Sequence, residues 1–429
     1  MKAVVLASGQ GSRMGYKTKA LLKVAGRRII DRTIILLKPH VDEFVFVVRA
    51  DSSELEEYLN RHWRGKIRYR IVKNPVPERG NGYTFLLASK AVGNSRFVLT
   101  MSDHVYSKEF VEKAVRLKGL IGDFKPKYAD VEEATKVKVE NGRVKDIGKK
   151  LKDFDCLDTG FFVLDGKAFD AARRVAERKE VVELSEVIRE LKPEVSEVSG
   201  EFWMDVDTPE ELKKARKLLV RLSVKGRGDG FISRNLNRKV STRISEMLVD
   251  HITPNQATIL AFLTGILASA LVFFSLPVAG IVYQLSSILD GIDGEIARAS
   301  LRTSRFGEWM DSILDRYVDF SFLLAVSLIV LNLVPEKILL TVSLFALIGC
   351  VMVSYSTEKF KASYGKSAYD CLKAIRYLPG KRDERIFIEM LLCLMYKPFL
   401  LLLVIALIGN ARVALTMAIV SSARSELES

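Results

Sequence analysis

Residues 290–315 read DGIDGEIARASLRTSRFGEWMDSILD. Asp290 and Asp293 are three residues apart, and Asp311 and Asp315 are four apart, so on helices each pair shares one face. Both pairs sit at the ends of apolar segments, where four uncompensated carboxylates would be costly. Divalent cations would compensate them. Hard oxygen ligands suit Mg²⁺ or Mn²⁺, and a two-metal site suits displacement at phosphorus. Gly294, Ala297 and Gly307 are small, which lets a ligand or a second backbone approach closely. The simpler alternative is that these acids only pair with Arg298, Arg302 and Arg305 at a helix boundary. Four acids at helical spacing among small residues favour the metal reading. Asp319 lies one turn further along, and a supporting role and a plain structural hydrogen bond are both open for it.

A second chemical constellation stands at the other end of the chain. Residues 6–14 read LASGQGSRM, directly after a strand-like run. In such a turn the backbone of Leu6, Ala7, Ser8, Gly9 and Gly11 can approach phosphates, with a helix N-terminus adding positive potential. Arg13 and Lys19 supply charges that would neutralise a triphosphate. A tight strand–helix turn with no ligand would carry the same glycines.

The elements that must position these residues differ between the two halves. The first half alternates short apolar strands, near 3–7, 43–48 and 97–100, with amphipathic helices near 29–37, 54–62 and 107–117. That alternation predicts a parallel sheet covered by helices on both faces. Residues 225–230 form a polar, glycine-rich linker. A basic segment follows over 231–249, carrying Arg234, Arg238, Lys239 and Arg243, and is expected to lie on the membrane surface. Six apolar spans are expected near 255–274, 278–297, 306–332, 338–357, 385–397 and 398–420, since a span needs about 20 apolar residues. The expected organisation is a domain over 1–222, a linker over 223–230 and a membrane domain over 231–429.

The net charge of +14 and the 48% hydrophobic content are unevenly distributed. The connections near 298–305 and 358–384 are rich in Arg and Lys, whereas those near 275–277 and 333–337 are nearly free of them. This asymmetry places the basic connections, the N-terminal half and both sites on the cytoplasmic side of a multi-pass protein of the cell membrane. Basic residues clustered at membrane-facing connections argue against a nucleic-acid partner. The run MKAVVLA is strand-like, so no cleavable signal peptide is expected. The four cysteines show neither paired nor CxxC spacing, which argues against a disulfide framework or a structural zinc site. Three glutamines against abundant Lys, Arg and Glu resemble a hyperthermophile composition.

The acidic segment matches Asp-x2-Asp-Gly-x2-Ala-Arg-x8-Gly-x3-Asp-x3-Asp at every position, and so resembles the CDP-alcohol phosphotransferase family. The resemblance covers roughly residues 230–420 and includes Ile252-Thr253-Pro254-Asn255. It implies a six-helix membrane fold, usually a homodimer in the lipid bilayer, that transfers a phosphoryl-linked group from a CDP-alcohol to a hydroxyl and releases CMP. It further implies that Asp290, Asp293, Asp311 and Asp315 bind metal and that Asp315 is the general base. It places Asn255, Gly294, Ala297 and Arg298 by the cytidine diphosphate. LASGQGSRM followed by TKALLKVAGRRIID resembles the sugar-nucleotide pyrophosphorylase family, with Thr18 where that family has proline. This second resemblance spans residues 1–220 and implies a Rossmann-like α/β domain. In it, Asp103 of TMSDH and Asp205 of WMDVDTPE would hold Mg²⁺ or Mn²⁺. Asn81-Gly82 and Asp158-Thr159-Gly160 would face base or sugar.

The two halves constrain each other. A fused nucleotidyltransferase most simply makes the CDP-alcohol that the membrane half consumes. A soluble domain handles a lipid phosphate poorly, so a water-soluble alcohol is expected. The combination resembles the bifunctional family of di-myo-inositol phosphate synthesis, a compatible-solute pathway. It implies CTP and inositol 1-phosphate as substrates, CDP-inositol as intermediate and a second inositol 1-phosphate as acceptor. A dianionic acceptor needs cations, and Lys359, Lys361, Arg382 and Arg385 at the cytoplasmic helix ends are candidates. The competing reading is a phosphatidyltransferase that makes an inositol-type phospholipid from a CDP-lipid, with a regulatory or inactive nucleotidyltransferase-like domain.

Overall fold

The computed structural model describes residues 1–9, 18–224 and 230–428. The chain divides into two compact units, Met1–Leu219 and Val220–Ser429.

In the first unit the strands longer than two residues are β1 (Lys2–Ala7), β2 (Glu43–Arg49), β3 (Tyr69–Asn74), β4 (Phe97–Met101), β5 (His104–Tyr106), β6 (Gly119–Asp123), β7 (Lys136–Glu140), β8 (Arg143–Gly148), β9 (Cys156–Leu164), β10 (Val195–Glu197) and β11 (Trp203–Asp205). The main sheet runs β8-β7-β9-β4-β1-β2-β3, with β6 also paired to β9 and β10 paired to β6. Its β4-β1-β2-β3 portion is parallel, as the alternation predicts. The sheet then changes character, because β9 runs antiparallel to β4, β6 and β7. The wholly parallel sheet expected from the first strands is therefore corrected to a mixed one. Strand β9 is buried along almost its whole length, so its near-continuous apolar run does not reveal its direction. Helices Ile29–Leu37 and Glu54–His62 form where periodicity predicts them. The third is shorter than expected, Lys108–Ala114, and Ser107 caps it by accepting the Phe110 N–H. Phe85, Phe97 and Phe169 stack in the core, with ring centroids 4.6–5.9 Å apart.

The second unit is mostly helical. Its main helices are α1 (Arg238–Leu248), α2 (Pro254–Leu271), α3 (Leu276–Ala299), α4 (Arg305–Ile329), α5 (Glu336–Tyr364), α6 (Arg382–Leu394) and α7 (Pro398–Ser422). Thr253 and Gln256 form a capping box at the start of α2, and Pro254 occupies its first turn. Three helices, α2, α5 and α7, are long and apolar enough to cross a membrane. Helices α3 and α4 have the length, at 24 and 25 residues, but carry the acidic motif and its neighbouring arginines. Helix α6 has 13 residues, about 20 Å at 1.5 Å per residue, which is short of a hydrocarbon core of about 30 Å. It ends where Tyr396 takes φ 54° ahead of Pro398. Helices α5 and α7 meet through glycines. A Cβ on Gly409 would lie 3.0 Å from the Cα of Gly349, so the close approach depends on both being bare. Tyr283 and Phe322 stack at 4.0 Å between α3 and α4.

Candidate functional site

In the helical unit, α3 contributes Asp290, Asp293, Gly294, Ala297 and Arg298, and α4 contributes Asp311, Asp315 and Asp319. Ser304 accepts the Gly307 N–H at 3.0 Å and starts α4 in the register that turns Asp311 and Asp315 toward α3. One ligand oxygen from each of Asp290, Asp311 and Asp315 lies within 4.8 Å of the others, a donor set that fits a hard divalent cation. Asp293 borders the cluster and accepts Thr258 Oγ1 at 2.6 Å and its neighbour Gly294 N–H. Two cavities open beside the acids. One, of about 300 Å³, is lined by Asn255, Asp293, Gly294, Ala297, Arg298 and Asp311, among others. The other, of about 260 Å³, holds Asp290 and Asp315 beside Arg238, Arg316, Lys381 and Arg382.

In the α/β unit, the C-terminal end of β4 reaches a cavity of about 360 Å³ that holds Asn81, Asp103, His104, Asp158, Asp205 and Asp207. The β5–β11 ribbon pairs His104 with Asp205. Asp103 Oδ1 meets His104 Nδ1 at 2.8 Å, and Lys19 Nζ lies 3.5 Å from Asp103 and pairs with Asp207. Burial alone would raise the Asp103 pKa, but the hydrogen bond and charge of His104, with Lys19, hold it at about 2. Burial opposes a charge on His104. Its hydrogen bond to Asp103 and the nearby Asp205 and Asp158 outweigh burial and raise its pKa. Asp158 is pushed up to about 6 by burial, against the Gly160 N–H that it accepts. Gly160 has φ 67°, and a Cβ there would stand 2.3 Å from His104 Nε2, so only glycine fits. Among the described residues, the acids of this cavity form no group of three with converging ligand atoms.

Residues 3–118 match the MobA-like NTP transferase domain, and residues 251–421 match the CDP-alcohol phosphatidyltransferase family. The chain is 49% identical over 422 residues to the bifunctional IPC transferase and DIPP synthase of Archaeoglobus fulgidus, covering 97% of this chain and 84% of that protein. It is 51% identical over 423 residues to the protein of the same name from Thermococcus kodakarensis, covering 97% and 96%. The chain belongs to the bifunctional IPC transferase and DIPP synthase family. Among solved structures, the inositol-1-phosphate CTP transferase from T. maritima aligns with 50% of this chain and 96% of its own, at 25% identity and a TM-score of 0.45.

For a member of this family, Asp290, Asp311 and Asp315 of the acidic constellation come together in space, and of the N-terminal constellation Lys19 lies beside Asp103. Asn255, Gly294, Ala297 and Arg298 share one cavity, with Asp293 and Asp311 at its rim. Asp103 and Asp205 line the cavity of the other unit with Asn81 and Asp158, and Lys19 lies 3.5 Å from Asp103. Asn81 Oδ1 accepts the Leu184 N–H at 2.7 Å, and Gly82 packs against Val182 and Glu183 behind it. Ser8 is buried and donates to the Val47 carbonyl at 3.2 Å, while Leu6 and Ala7 end β1 and Gly9 follows. Gly11 and Arg13 lie outside the described residues.

The four candidate acceptor cations separate. Arg382 reaches the cluster, 2.8 Å from Asp315 and 3.3 Å from Asp290. Arg385 also lines the cationic cavity but is 1% exposed, donating to the Gly380 carbonyl at 3.0 Å with Asp319 at 3.7 Å. Lys361 instead pairs with Glu308 at 3.0 Å, on the exposed surface. Lys359 is exposed and lies off the face of α5 that carries Val353, Ser354 and Thr357 into the cavity. Arg238, Arg316 and Lys381 line the same cavity and were missed. Arg238 belongs to the basic segment that the sequence places on the membrane surface, and spacing alone does not aim it at this cavity.

Asp319 is the keystone of a buried network. It accepts Tyr283 Oη at 2.9 Å and Arg382 Nε at 3.0 Å, with Arg385 adjacent. Asp319→Ala takes one of three carboxylates from Arg382, which keeps Asp315 and Asp290, and the one at 3.7 Å from the buried Arg385, and is expected to lower stability by about 3 kcal/mol. Calorimetry in detergent micelles would read this as a lower Tm for the helical unit. Asp319→Asn, which keeps a partner for Tyr283, should lose less. Equal Tm values for wild type and Asp319→Ala would show that the network adds no stability.

Proposed function

We propose that this chain makes CDP-inositol from CTP and inositol 1-phosphate in its α/β domain, releasing pyrophosphate. Its membrane domain then joins CDP-inositol to a second inositol 1-phosphate, giving di-myo-inositol phosphate phosphate and CMP. The observation that carries this reading is the pair of cavities beside Asp290, Asp311 and Asp315. One holds the motif residues suited to a cytidine diphosphate, and the other holds cations suited to a dianionic acceptor.

Asp315 faces the cationic cavity, where it can accept the proton of the acceptor hydroxyl as that oxygen bonds to the phosphorus bearing inositol. The bond from that phosphorus to the CMP oxygen breaks, and CMP leaves. Arg298 and Asn255 orient the diphosphate. Arg382 and its cationic neighbours hold the acceptor phosphate against the repulsion of the carboxylates. Mg²⁺ or Mn²⁺ bound by Asp290, Asp293, Asp311 and Asp315 would neutralise charge on the transferring phosphate. In the first domain, Arg13 and Lys19 neutralise the triphosphate while Asp103 and Asp205 are the proposed metal ligands, so catalysis is positioning and charge neutralisation.

The proposed boundaries are 1–222 for the cytidylyltransferase, 223–230 for the linker and 231–429 for the membrane domain. Helices α2 to α7 are proposed to form six membrane segments, in a homodimer with both sites on the cytoplasmic side. Thr303 is exposed at the cationic 298–305 connection, next to the cap residue Ser304. A cysteine at Thr303 should react with an impermeant thiol reagent only from the cytoplasmic face. Labelling of intact cells from outside would overturn the orientation. The activity is tested by incubating the purified protein with CTP, inositol 1-phosphate and Mg²⁺ and identifying the products by phosphorus NMR. Pyrophosphate, CMP and the phosphorylated di-inositol are expected. A product that forms only when a CDP-lipid is added would favour phospholipid synthesis instead.

A further inference from the structure

The basic segment ahead of the first apolar helix does not rest on the helical unit by charge alone. Its inward stripe is polar. Asn237 is 4% exposed, and Ser241 and Ser245 are fully buried, at the four-residue spacing of one helix face. The stripe meets a matching one on α3. Gln284 Nε2 donates to Asn237 Oδ1 at 2.9 Å, and Asn237 Nδ2 donates to Ser287 Oγ at 3.2 Å. One helical turn or so further, Arg238 Nη1 donates to the Gly291 carbonyl at 3.2 Å. The stripe ends at Glu295.

Glu295 lies inside the acidic motif but faces away from the acid cluster, and it is fully buried. Its Oε1 accepts Arg238 Nη1 at 3.1 Å and Ser241 Oγ at 2.8 Å, and its Oε2 accepts Ser245 Oγ at 2.7 Å. A carboxylate desolvated to this degree persists only when its lone pairs are filled, and here one segment fills them. The beginning of the segment is held separately. Asp383 Oδ2 accepts the Ser233 N–H at 2.7 Å, and Glu384 Oε1 accepts the Phe231 N–H at 3.0 Å. Pinned at both places, residues 230–241 form one wall of the cavity that holds Asp290, Asp315 and Arg382. Phe231 and Met247 remain 62% and 71% exposed on the other side of the segment, where they suit a bilayer surface.

We infer that Glu295 is a positioning residue for the acceptor: it docks α1 on the metal-binding helix and so holds the Arg238 guanidinium at the wall of the acceptor cavity. The inference rests on the proposed function, because it takes that cavity as the acceptor's. Arg238 adds a fixed cation opposite Arg382, and its fork is oriented by Glu295 and the Gly291 carbonyl together. The same motif helix therefore presents Asp293 to the diphosphate side and, through Glu295, a cation to the acceptor side, where Asp290 also lies.

Steady-state kinetics with CDP-inositol and inositol 1-phosphate test this on the full-length enzyme. Glu295→Gln keeps the side-chain shape and weakens the hold on Arg238. It is expected to raise the acceptor KM about tenfold, the size of one charge-assisted hydrogen bond, with kcat and the CDP-inositol KM within about twofold. Arg238→Ala should do the same, and the double variant should be no worse than Arg238→Ala. Arg238→Lys should recover part of the loss. An unchanged acceptor KM in Glu295→Gln, a loss shared with kcat and the CDP-inositol KM, or full additivity in the double variant would overturn the inference. If Glu295→Gln does not fold, Arg238→Ala and Arg238→Lys carry the test, and a flat acceptor KM in both overturns it. Wild-type turnover is the control. Its absence removes the proposed function itself, whereas normal wild-type turnover with flat variants removes only the role of Glu295 and Arg238.

Discussion

Asp315→Asn is expected to stop phosphotransfer while CDP-inositol synthesis continues. The side chain keeps its volume, so packing on α4 should survive. Removing one negative charge from a crowded group of acids relieves repulsion, and Arg382, which loses its charged partner at 2.8 Å, keeps Asp290 and Asp319, so the fold should hold. Two functions are lost at once, because the amide accepts no proton from the acceptor hydroxyl and is a poorer cation ligand. General-base catalysis alone contributes about 10²–10⁴-fold, and kcat for CMP release should fall by at least that order. The measurement is CMP release from supplied CDP-inositol, beside CDP-inositol formation from CTP in the same preparation. Loss of both activities in folded protein would contradict separate sites.

Lys19→Ala and Asp103→Ala are expected to show the opposite pattern. Lys19 pairs with Asp207 and lies 3.5 Å from Asp103, so its ammonium ties two carboxylates together at the strand ends. Without it those acids repel each other and the incoming triphosphate. Losing one preorganised charge of this kind costs about 10²–10³-fold in kcat. Asp103→Ala removes a half-buried carboxylate held at about pKa 2, ionised throughout the working pH range, and leaves His104 without its 2.8 Å partner. Both variants should form almost no CDP-inositol from CTP. Both should make the final product at the wild-type rate when CDP-inositol is added. Failure of added CDP-inositol to rescue them would mean that Lys19 and Asp103 serve more than the first reaction.

The division of labour was legible in the chain because each half carries its own chemistry at fixed spacing. The three- and four-residue intervals of Asp290, Asp293, Asp311 and Asp315 require a helical face, and the apolar runs around them set where helices α2 to α7 lie. The helices at Ile29–Leu37 and Glu54–His62 followed from local periodicity, and a helix needs only its own sequence to satisfy its backbone. The family of each half was legible for the same reason, since both motifs are contiguous.

What the sequence could not determine were pairings between distant segments. The antiparallel direction of β9 depends on its neighbours β4, β6 and β7, not on its own apolar run. Arg385 and Lys361 looked equivalent as basic residues at helix ends, yet one is buried against Asp319 and the other meets Glu308 on the surface. Arg238 stands in the sequence as one of several basic residues of a membrane-surface segment, and its partner Glu295 lies 57 residues later. A charged side chain has no direction in a sequence. Its partner, and hence its role, is decided by which helix face packs beside it, and only the tertiary structure supplies that.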